Sequence, residues 1–173
     1  MKILAFAASN SKNSINKQLA TYAAGLVANA QVEVLDINDF EMPIFSDERE
    51  QALGQPEQAL LFFKKIGEAD AIIVSFAEHN GYYPAAFKNL FDWTSRIDKE
   101  VYQGKPMIML AASPGPGGAA SVLAAAAGSA PYFAADVKAT LSVPNFYDNF
   151  DLEQGILINA ELQQKLQSAV EKL

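Results

Sequence analysis

Five short apolar runs, each followed by a segment of helical character, are the feature of this sequence that most restricts its fold. The runs cover residues 2–8, 31–36, 70–76, 106–112 and 137–143. The first, third and fourth carry almost no charge, which is typical of strands that are covered on both faces of a parallel sheet. Because crossovers between parallel strands are right-handed, five such units predict an α/β structure with helices on both faces of one sheet.

The segments between the runs are helical in pattern, with one exception. Helices are predicted over residues 13–29, 56–66, 84–96, 118–133 and 159–173, the fourth ending early because it contains Gly128 and Pro131. Residues 38–54 contain Pro43, Gly54 and mixed charges, and are predicted to form a long loop. No linker or repeat interrupts the alternation, so we expect a single domain over residues 1–173. Five units favour a three-layer flavodoxin-like fold with a five-stranded parallel sheet of order 2-1-3-4-5.

Composition and charge exclude several classes of function. The chain has no cysteine, which rules out disulfides, thiolate metal sites and cysteine nucleophiles, and with His79 as its one histidine we expect no metal site. The formal net charge of −7 disfavours nucleic acid as a partner. No apolar stretch approaches the ~20 residues of a membrane span, and the N-terminal run is too short for a signal-peptide core. We therefore expect a cytoplasmic protein with no membrane partner.

The ligand of such a sheet lies beyond the carboxyl ends of the strands, at the point where the strand order reverses. The loop after the first strand reads Ser9-Asn10-Ser11-Lys12-Asn13-Ser14-Ile15-Asn16. Free amides at a helix start, together with hydroxyl groups, can bind a phosphate monoester. The alternative is a polar turn in which Asn13 or Ser14 caps the helix. Walker-type and G-x-G-x-x-G patterns are absent, which disfavours a nucleoside triphosphate or a Rossmann-type dinucleotide.

Two further loops are predicted at the same edge of the sheet. After the third strand the chain reads Ala77-Glu78-His79-Asn80-Gly81-Tyr82-Tyr83-Pro84. Its rings and backbone groups suit a planar heterocycle, and the alternative is that its aromatic side chains pack on one another. After the fourth strand, Ser113-Pro114-Gly115-Pro116-Gly117-Gly118 has three glycines, which let the backbone pass close to a ligand. Three such loops at one edge predict a binding site there.

These loops resemble those of the NADPH-dependent FMN reductase family, which has a flavodoxin-like fold and includes quinone, azo-dye and chromate reductases. Residues 8–16 are similar to the family's first-loop pattern Gly-Ser-x-Arg-x-x-Ser-x-Asn. Residues 77–80 and 87–93 are similar to its Pro-Glu-Tyr-Asn motif and the following Leu-Lys-Asn and Asp-Trp, and residues 113–118 to its Ser-Pro-Gly-Gly. The sequence departs from the pattern at Ser11, where the family has an arginine that pairs with the FMN phosphate. It also departs at Ala77, which replaces a proline, and at His79, which replaces a tyrosine.

The resemblance implies FMN as cofactor, NADPH or NADH as reductant, and a set of residues that hold the flavin. It assigns the phosphate to Ser9, Ser11, Ser14 and Asn16, with Ile15 in the same loop and Lys12 as a candidate point charge in place of the arginine. It places the isoalloxazine between two groups, Ala77, Glu78, His79, Asn80 and Gly81 on one side and Ser113, Pro114, Gly115 and Gly117 on the other.

The resemblance also implies a homodimer or homotetramer, because dimers and tetramers predominate in the family. A helix corresponding to residues 84–96 often packs against a second subunit in relatives. That helix carries Lys88, Asp92 and Trp93. Read from the residues alone, these three are equally a solvated ion pair beside a half-buried tryptophan.

The activity implied is an NAD(P)H-dependent oxidoreductase that passes hydride through flavin N5 to a small-molecule electron acceptor: a quinone, azo compound, free flavin or metal oxyanion. One open flavin face serving both substrates implies ping-pong kinetics. His79 is the candidate catalytic side chain, as proton donor to the reduced acceptor; the alternative is a polar ring satisfied by hydrogen bonds.

Two alternative functions keep the same fold. One is a flavodoxin-type electron carrier, whose acidic surface would dock a basic protein. The other is a family member that has lost FMN binding together with the arginine. A response-regulator-like signalling domain is set aside, because Ala8, Ser9 and Asn10 stand where it needs acidic residues for magnesium.

Overall fold

The sheet has the predicted strand order. The computed structural model describes residues 1–173, and its five parallel strands are ordered β2-β1-β3-β4-β5. Their bounds are β1 Lys2–Ala8, β2 Gln31–Leu35, β3 Ala71–Phe76, β4 Pro106–Ala112 and β5 Asp136–Val143. The three central strands are buried along almost their whole length, whereas the edge strands β2 and β5 are partly exposed, which explains why only the central runs lack charge.

The three central strands end at the same level. Ala8 of β1 is paired with Phe76 of β3, and Phe76 is paired with Ala111 of β4. The loops that follow these strands therefore leave the sheet side by side. The strand order reverses between β1 and β3, so this edge is the place where a parallel sheet of this order binds its ligand.

Helices cover both faces of the sheet and enclose two hydrophobic cores. The helices are α1 Ile15–Gly25, α2 Asp47–Leu53, α3 Glu57–Glu68, α4 Ala85–Ile97, α5 Ala120–Ser129, α6 Phe146–Asn149 and α7 Ala160–Val170. The first core lies under α3, α4 and α5 and contains Phe6, Phe62 and Phe87. The second lies under α1, α6 and α7 and contains Leu19, Phe146 and Leu166. No helix is both long enough and apolar enough to cross a bilayer.

The predicted helices are present, several of them shorter than expected. The first begins after Ser14, which caps it, and ends at Gly25 rather than near residue 29. The alanine-rich α5 ends at Ser129 and continues as a 3₁₀ turn over Ala130–Phe133, so the early end predicted from Gly128 and Pro131 is confirmed.

The prediction of a long loop over residues 38–54 is wrong. The segment contains a 3₁₀ turn, Ile37–Phe40, and helix α2. Ser46 caps α2 by accepting a hydrogen bond from the Arg49 backbone N–H, and acidic residues fill its first turn. No residue of α2 is buried, so the mixed charges that indicated a loop are those of a short surface helix.

Helix α4 holds the chain between the 3₁₀ turn and α2 in place. The Asn89 side chain accepts a hydrogen bond from the Phe45 N–H at 2.8 Å and donates to the Met42 and Pro43 carbonyls at 3.1 Å each. Trp93 is fully buried, and its indole N–H donates to the Pro43 carbonyl at 2.7 Å. Trp93 is thus part of the chain's own core, so the interpretation of Trp93 as a half-buried residue is wrong.

The segment between β5 and α7 contains structure that the sequence interpretation did not predict. Helix α6 is followed by a short antiparallel hairpin, β6 Phe150–Asp151 and β7 Ile156–Leu157. The rings of Phe146 and Phe150 stack at 4.6 Å between centroids and close the second core. These elements are too short for hydrophobic periodicity to reveal them.

Replacing Asn89 by Ala should lower the free energy of unfolding by about 2–3 kcal/mol, since three hydrogen bonds are lost at roughly 1 kcal/mol each. Urea denaturation measures the change. The matched control is Lys88→Ala on the same helix, which removes an exposed ion pair to Asp92 and should cost at most about 0.5 kcal/mol. Equal losses in the two variants would contradict the role given to Asn89.

Candidate functional site

A cavity of about 240 Å³ opens at the carboxyl ends of β1, β3 and β4. All three predicted loops border it. Its lining residues are Ser9, Ser11, Asn13, Ser14, Ile15, Asn16, Ala77, Glu78, His79, Ala112, Ser113, Pro114 and Tyr147. The structure therefore brings most of the predicted cofactor-binding residues together. It does not bring Lys12, Asn80, Gly81, Gly115 or Gly117 to the cavity wall.

The first loop offers a row of unpaired hydrogen-bond donors. The backbone N–H groups of residues 12–16 have no acceptor within the chain. Ser14 caps α1 by accepting from the Lys17 N–H at 3.1 Å, and Ser9 accepts from the Ser11 N–H at 3.3 Å. The two interpretations of this loop are therefore compatible, because the cap orders the turn while the amides at the positive end of the helix dipole stay free for an anion.

The Asn16 side chain has a structural role. It is almost fully buried, and its Oδ1 accepts hydrogen bonds from the Ala112 N–H at 2.9 Å and the Ser75 hydroxyl at 2.7 Å. Its Nδ2 donates to the Ala112 carbonyl at 3.2 Å. The carboxamide therefore joins α1 to the ends of β3 and β4, and the assignment of Asn16 to the phosphate stays a prediction for its backbone N–H, which has no acceptor within the chain.

Asn80 and Gly81 form a tight turn. Both have positive φ, 54° and 80°, and His79 and Tyr82 on either side exchange backbone hydrogen bonds of 3.0 and 3.2 Å. This is a two-residue hairpin for which Asn-Gly is the favoured pair, a signal in the sequence that the interpretation of this loop as a ligand wall overlooked. Asn80 and Gly81 thus shape the loop and orient His79, whose exposed side chain borders the cavity.

Other side chains fix the second loop to its surroundings. The Glu78 carboxylate accepts a hydrogen bond from the Val122 N–H at 2.8 Å, in the first turn of α5. Tyr83 packs edge-on against Phe87 at 5.3 Å between ring centroids, and burial raises its pKa. Tyr82 lies on Tyr83 at 4.6 Å and stays about half exposed. For these two tyrosines the structure therefore agrees with the second interpretation of the loop, in which its aromatic side chains pack on one another.

The three glycines of the third loop are not equivalent. Gly118 has a φ of +59°, and a Cβ added there would clash with the Ser142 hydroxyl and the Pro144 backbone, so the chain itself requires glycine at this position. A Cβ at Gly115 or Gly117 would meet nothing within 4 Å, and neither has a positive φ. Nothing within the chain therefore requires glycine at these two positions.

The cavity offers an anion no permanently charged partner. No lysine or arginine borders it. Lys17, in the first turn of α1, is engaged by Asp36 at 2.6 Å, and this hydrogen bond is the main cause of a lowered Asp36 pKa. An anion at the start of α1 would therefore be held by neutral N–H and O–H donors, the arrangement that suits a monoester at a helix N-terminus. No group of acidic and histidine side chains forms a metal site.

Tyr147 is a lining residue that the sequence interpretation missed. It belongs to α6, after the fifth strand, and no motif marked it. The signal that could have found it is topological: β5 lies next to β4, so the loop after β5 must leave the sheet beside the third predicted loop.

Comparisons with known proteins agree with this geometry. The family model for NADPH-dependent FMN reductase matches residues 1–148. An NAD(P)H-dependent FMN reductase of Pseudomonas aeruginosa is 32% identical over 116 residues, which cover 66% of this chain and 61% of that protein. A 2-hydroxy-1,4-benzoquinone reductase of a Burkholderia species is 32% identical over 117 residues, 66% of this chain and 62% of the relative. The match thus spans about three fifths of the length of these curated relatives.

Solved structures share the fold over nearly the whole chain. A flavoenzyme NAD(P)H:(acceptor) oxidoreductase from Paracoccus denitrificans superposes with a TM-score of 0.76 at 25% identity, covering 98% of this chain and 93% of that one. An oxidoreductase from Corynebacterium diphtheriae superposes with a TM-score of 0.73, covering 99% and 94%, and at 17% identity this likeness shows the fold alone.

Replacing Asn16 by Asp should destabilise the protein in a pH-dependent way. A carboxylate oxygen would then face the Ala112 carbonyl in a buried position, and at pH 7 the free energy of unfolding should fall by about 3 kcal/mol relative to wild type. Burial raises the pKa of the introduced carboxyl above its unfolded value, so the deficit should shrink as the pH falls towards 5. Denaturant unfolding at several pH values measures this difference.

The matched control is Asn13→Asp, at an exposed position of the same loop. It should change the free energy of unfolding by less than about 0.5 kcal/mol at every pH. An Asn16→Asp deficit that does not depend on pH would contradict the hydrogen-bonding role assigned to the carboxamide.

Proposed function

The chain belongs to the NADPH-dependent FMN reductase family, and on that premise we propose that it binds FMN in the cavity at the ends of β1, β3 and β4 and reduces a small-molecule acceptor with NADH or NADPH. The observation that carries the proposal is the row of unpaired N–H groups at residues 12–16, which meets the second and third loops at one cavity. Bound FMN would supply the two-electron redox chemistry between the nicotinamide and the acceptor.

The first loop would hold the phosphate. Its free backbone amides, at the positive end of the α1 dipole, would donate hydrogen bonds to the phosphate oxygens, and the hydroxyls of Ser9, Ser11 and Ser14 lie at the same wall. Ser11 cannot form the bidentate charged contact of an arginine, and Lys12 does not reach the cavity wall, so neutral donors would do most of the binding.

The second and third loops would orient the ring system. Ala77, Glu78 and His79 border one side of the cavity, and Ser113 and Pro114 border another. Their positions are set within the protein itself, because Glu78 is bonded to the start of α5 and the Asn80-Gly81 turn fixes His79. A site that is ordered before the ligand arrives loses little conformational entropy on binding.

Reductant and acceptor would use the same open side of the cavity in turn, which gives ping-pong kinetics. Relatives named as quinone reductases make a quinone the first acceptor to test, ahead of azo compounds, free flavins and metal oxyanions. We further propose that residues 1–173 form one domain that acts in the cytoplasm, without nucleic acid or membrane partners, as a homodimer or homotetramer.

The test is the absorption spectrum of the FMN-loaded protein under anaerobic conditions. We expect NADH or NADPH to bleach the yellow flavin band and a quinone to restore it, with parallel lines in double-reciprocal plots of the steady-state rates. Free FMN treated in the same way is the control. A protein that binds no added FMN would support the cofactor-free alternative, and bound flavin that neither nicotinamide bleaches would support an electron carrier.

For His79 we propose the role of proton donor to the quinone oxygen during reduction, and His79→Phe tests it. Quinone turnover should fall by about 100-fold, the lower end of the range for general acid catalysis, because that reaction takes up protons. Turnover with ferricyanide, which takes up an electron and no proton, should not change. If the variant keeps the wild-type rate with both acceptors, His79 has no part in the mechanism. If it loses the same factor with quinone and with ferricyanide, the substitution has damaged the site as a whole.

A further inference from the structure

The segment after β5 is fixed to the third loop. The Asn145 N–H donates a hydrogen bond to the Gly115 carbonyl at 2.9 Å, and the Phe146 N–H donates to the Ser113 carbonyl at 3.0 Å. The start of α6 is therefore held against the loop that borders the cavity. Any side chain that α6 directs outwards has a defined position relative to that cavity.

The same segment lies on the α1 side of the sheet. Phe146 is completely buried in the core under α1 and α7, where it stacks on Phe150. Phe150 in turn meets Tyr22 of α1 edge-on, with 6.0 Å between ring centroids. The second loop is different, because its Tyr83 packs against the core on the opposite face. The residue after Phe146 is thus on the side where the start of α1 presents its free amides.

That residue is Tyr147, and its hydroxyl is free. The side chain is 58% exposed and borders the cavity together with Ser11, Asn13 and Ser14. Its phenol makes no hydrogen bond within the chain. A phenol O–H is a good donor to an anion, and it stands at a cavity wall that lacks lysine and arginine.

We propose that the Tyr147 hydroxyl donates a hydrogen bond to the phosphate of bound FMN, in addition to the donors of the first loop. Tyr147 would then be a phosphate-binding residue that comes from the fifth strand-end loop and lies outside the three loops with recognisable motifs. The inference rests on the proposed function, because it presupposes that FMN occupies the cavity.

Comparing FMN with riboflavin, which lacks the phosphate, tests the contact. Apo-protein is titrated with each flavin, and the dissociation constants follow from the quenching of flavin fluorescence. Tyr147→Phe keeps the ring and removes only the hydroxyl. We expect it to raise the dissociation constant for FMN about ten-fold and to leave that for riboflavin unchanged, because a hydrogen bond to a charged group is lost. An unchanged unfolding temperature of the apo-protein would show that the fold is intact.

The matched control is Tyr132→Phe, a tyrosine that is 71% exposed in the 3₁₀ turn after α5 and does not border the cavity. It should affect neither flavin. If wild-type protein binds FMN and Tyr147→Phe binds it with the same dissociation constant, this inference is overturned and the proposed function is not. Equal weakening for FMN and riboflavin would also overturn it, since the contact would then be to the ring system. Wild-type protein that binds neither flavin would overturn the proposed function and this inference with it.

Discussion

The buried carboxamide of Asn16 is the interaction on which the arrangement of the site depends. Ala112, at the end of β4, has both a backbone N–H and a carbonyl to bond. A carboxamide is the side-chain group that can accept from the first and donate to the second at the same time. The Ser75 hydroxyl of β3 adds a third bond. These bonds join the start of α1 to the ends of two strands in a buried setting, where an unmade hydrogen bond costs most. The free amides of the first loop are therefore held at a fixed height above the sheet.

Most polar residues of the three loops serve the loops themselves, which leaves a small set for a ligand. Asn16, Glu78 and the Asn80-Gly81 turn are committed to contacts within the chain, and Gly118 is required by its backbone conformation. What remains is a set of neutral donors around an open cavity. Such donors allow an acidic chain with a net charge of −7 to bind a small anion, because backbone amides at a helix start act locally whereas the overall charge is screened by salt.

The sequence predicts the sheet well and the short elements poorly, for a physical reason. Strands covered on both faces must be apolar throughout, so β1, β3 and β4 are visible as uncharged runs. Helix α2 buries nothing and has no periodicity to detect, and the chain before it is ordered by Asn89 and Trp93, which lie more than forty residues away.

The positions of the site loops follow from the strand order, but the roles of individual residues do not. Whether Asn16 faces a ligand or Ala112 depends on a contact across the fold, which no local pattern encodes. The Asn-Gly pair of the second loop is the exception, because its turn geometry is a local property.

The same strand order explains why a residue after the last strand can reach a group bound at the first loop. Helix α1 packs across three strands, β1, β3 and β4. Asn16 bonds the start of this helix to the end of β4. The neighbour of β4 on its other side is β5. Tyr147, after β5, borders the same cavity as Ser11, Asn13 and Ser14, whereas Asp36, the first residue after β2, pairs with Lys17 in the first turn of α1. The cavity at the start of α1 thus has a second wall after β5, from which Tyr147 would add a donor to those of the first loop, where Ser11 stands in place of the arginine of the family pattern.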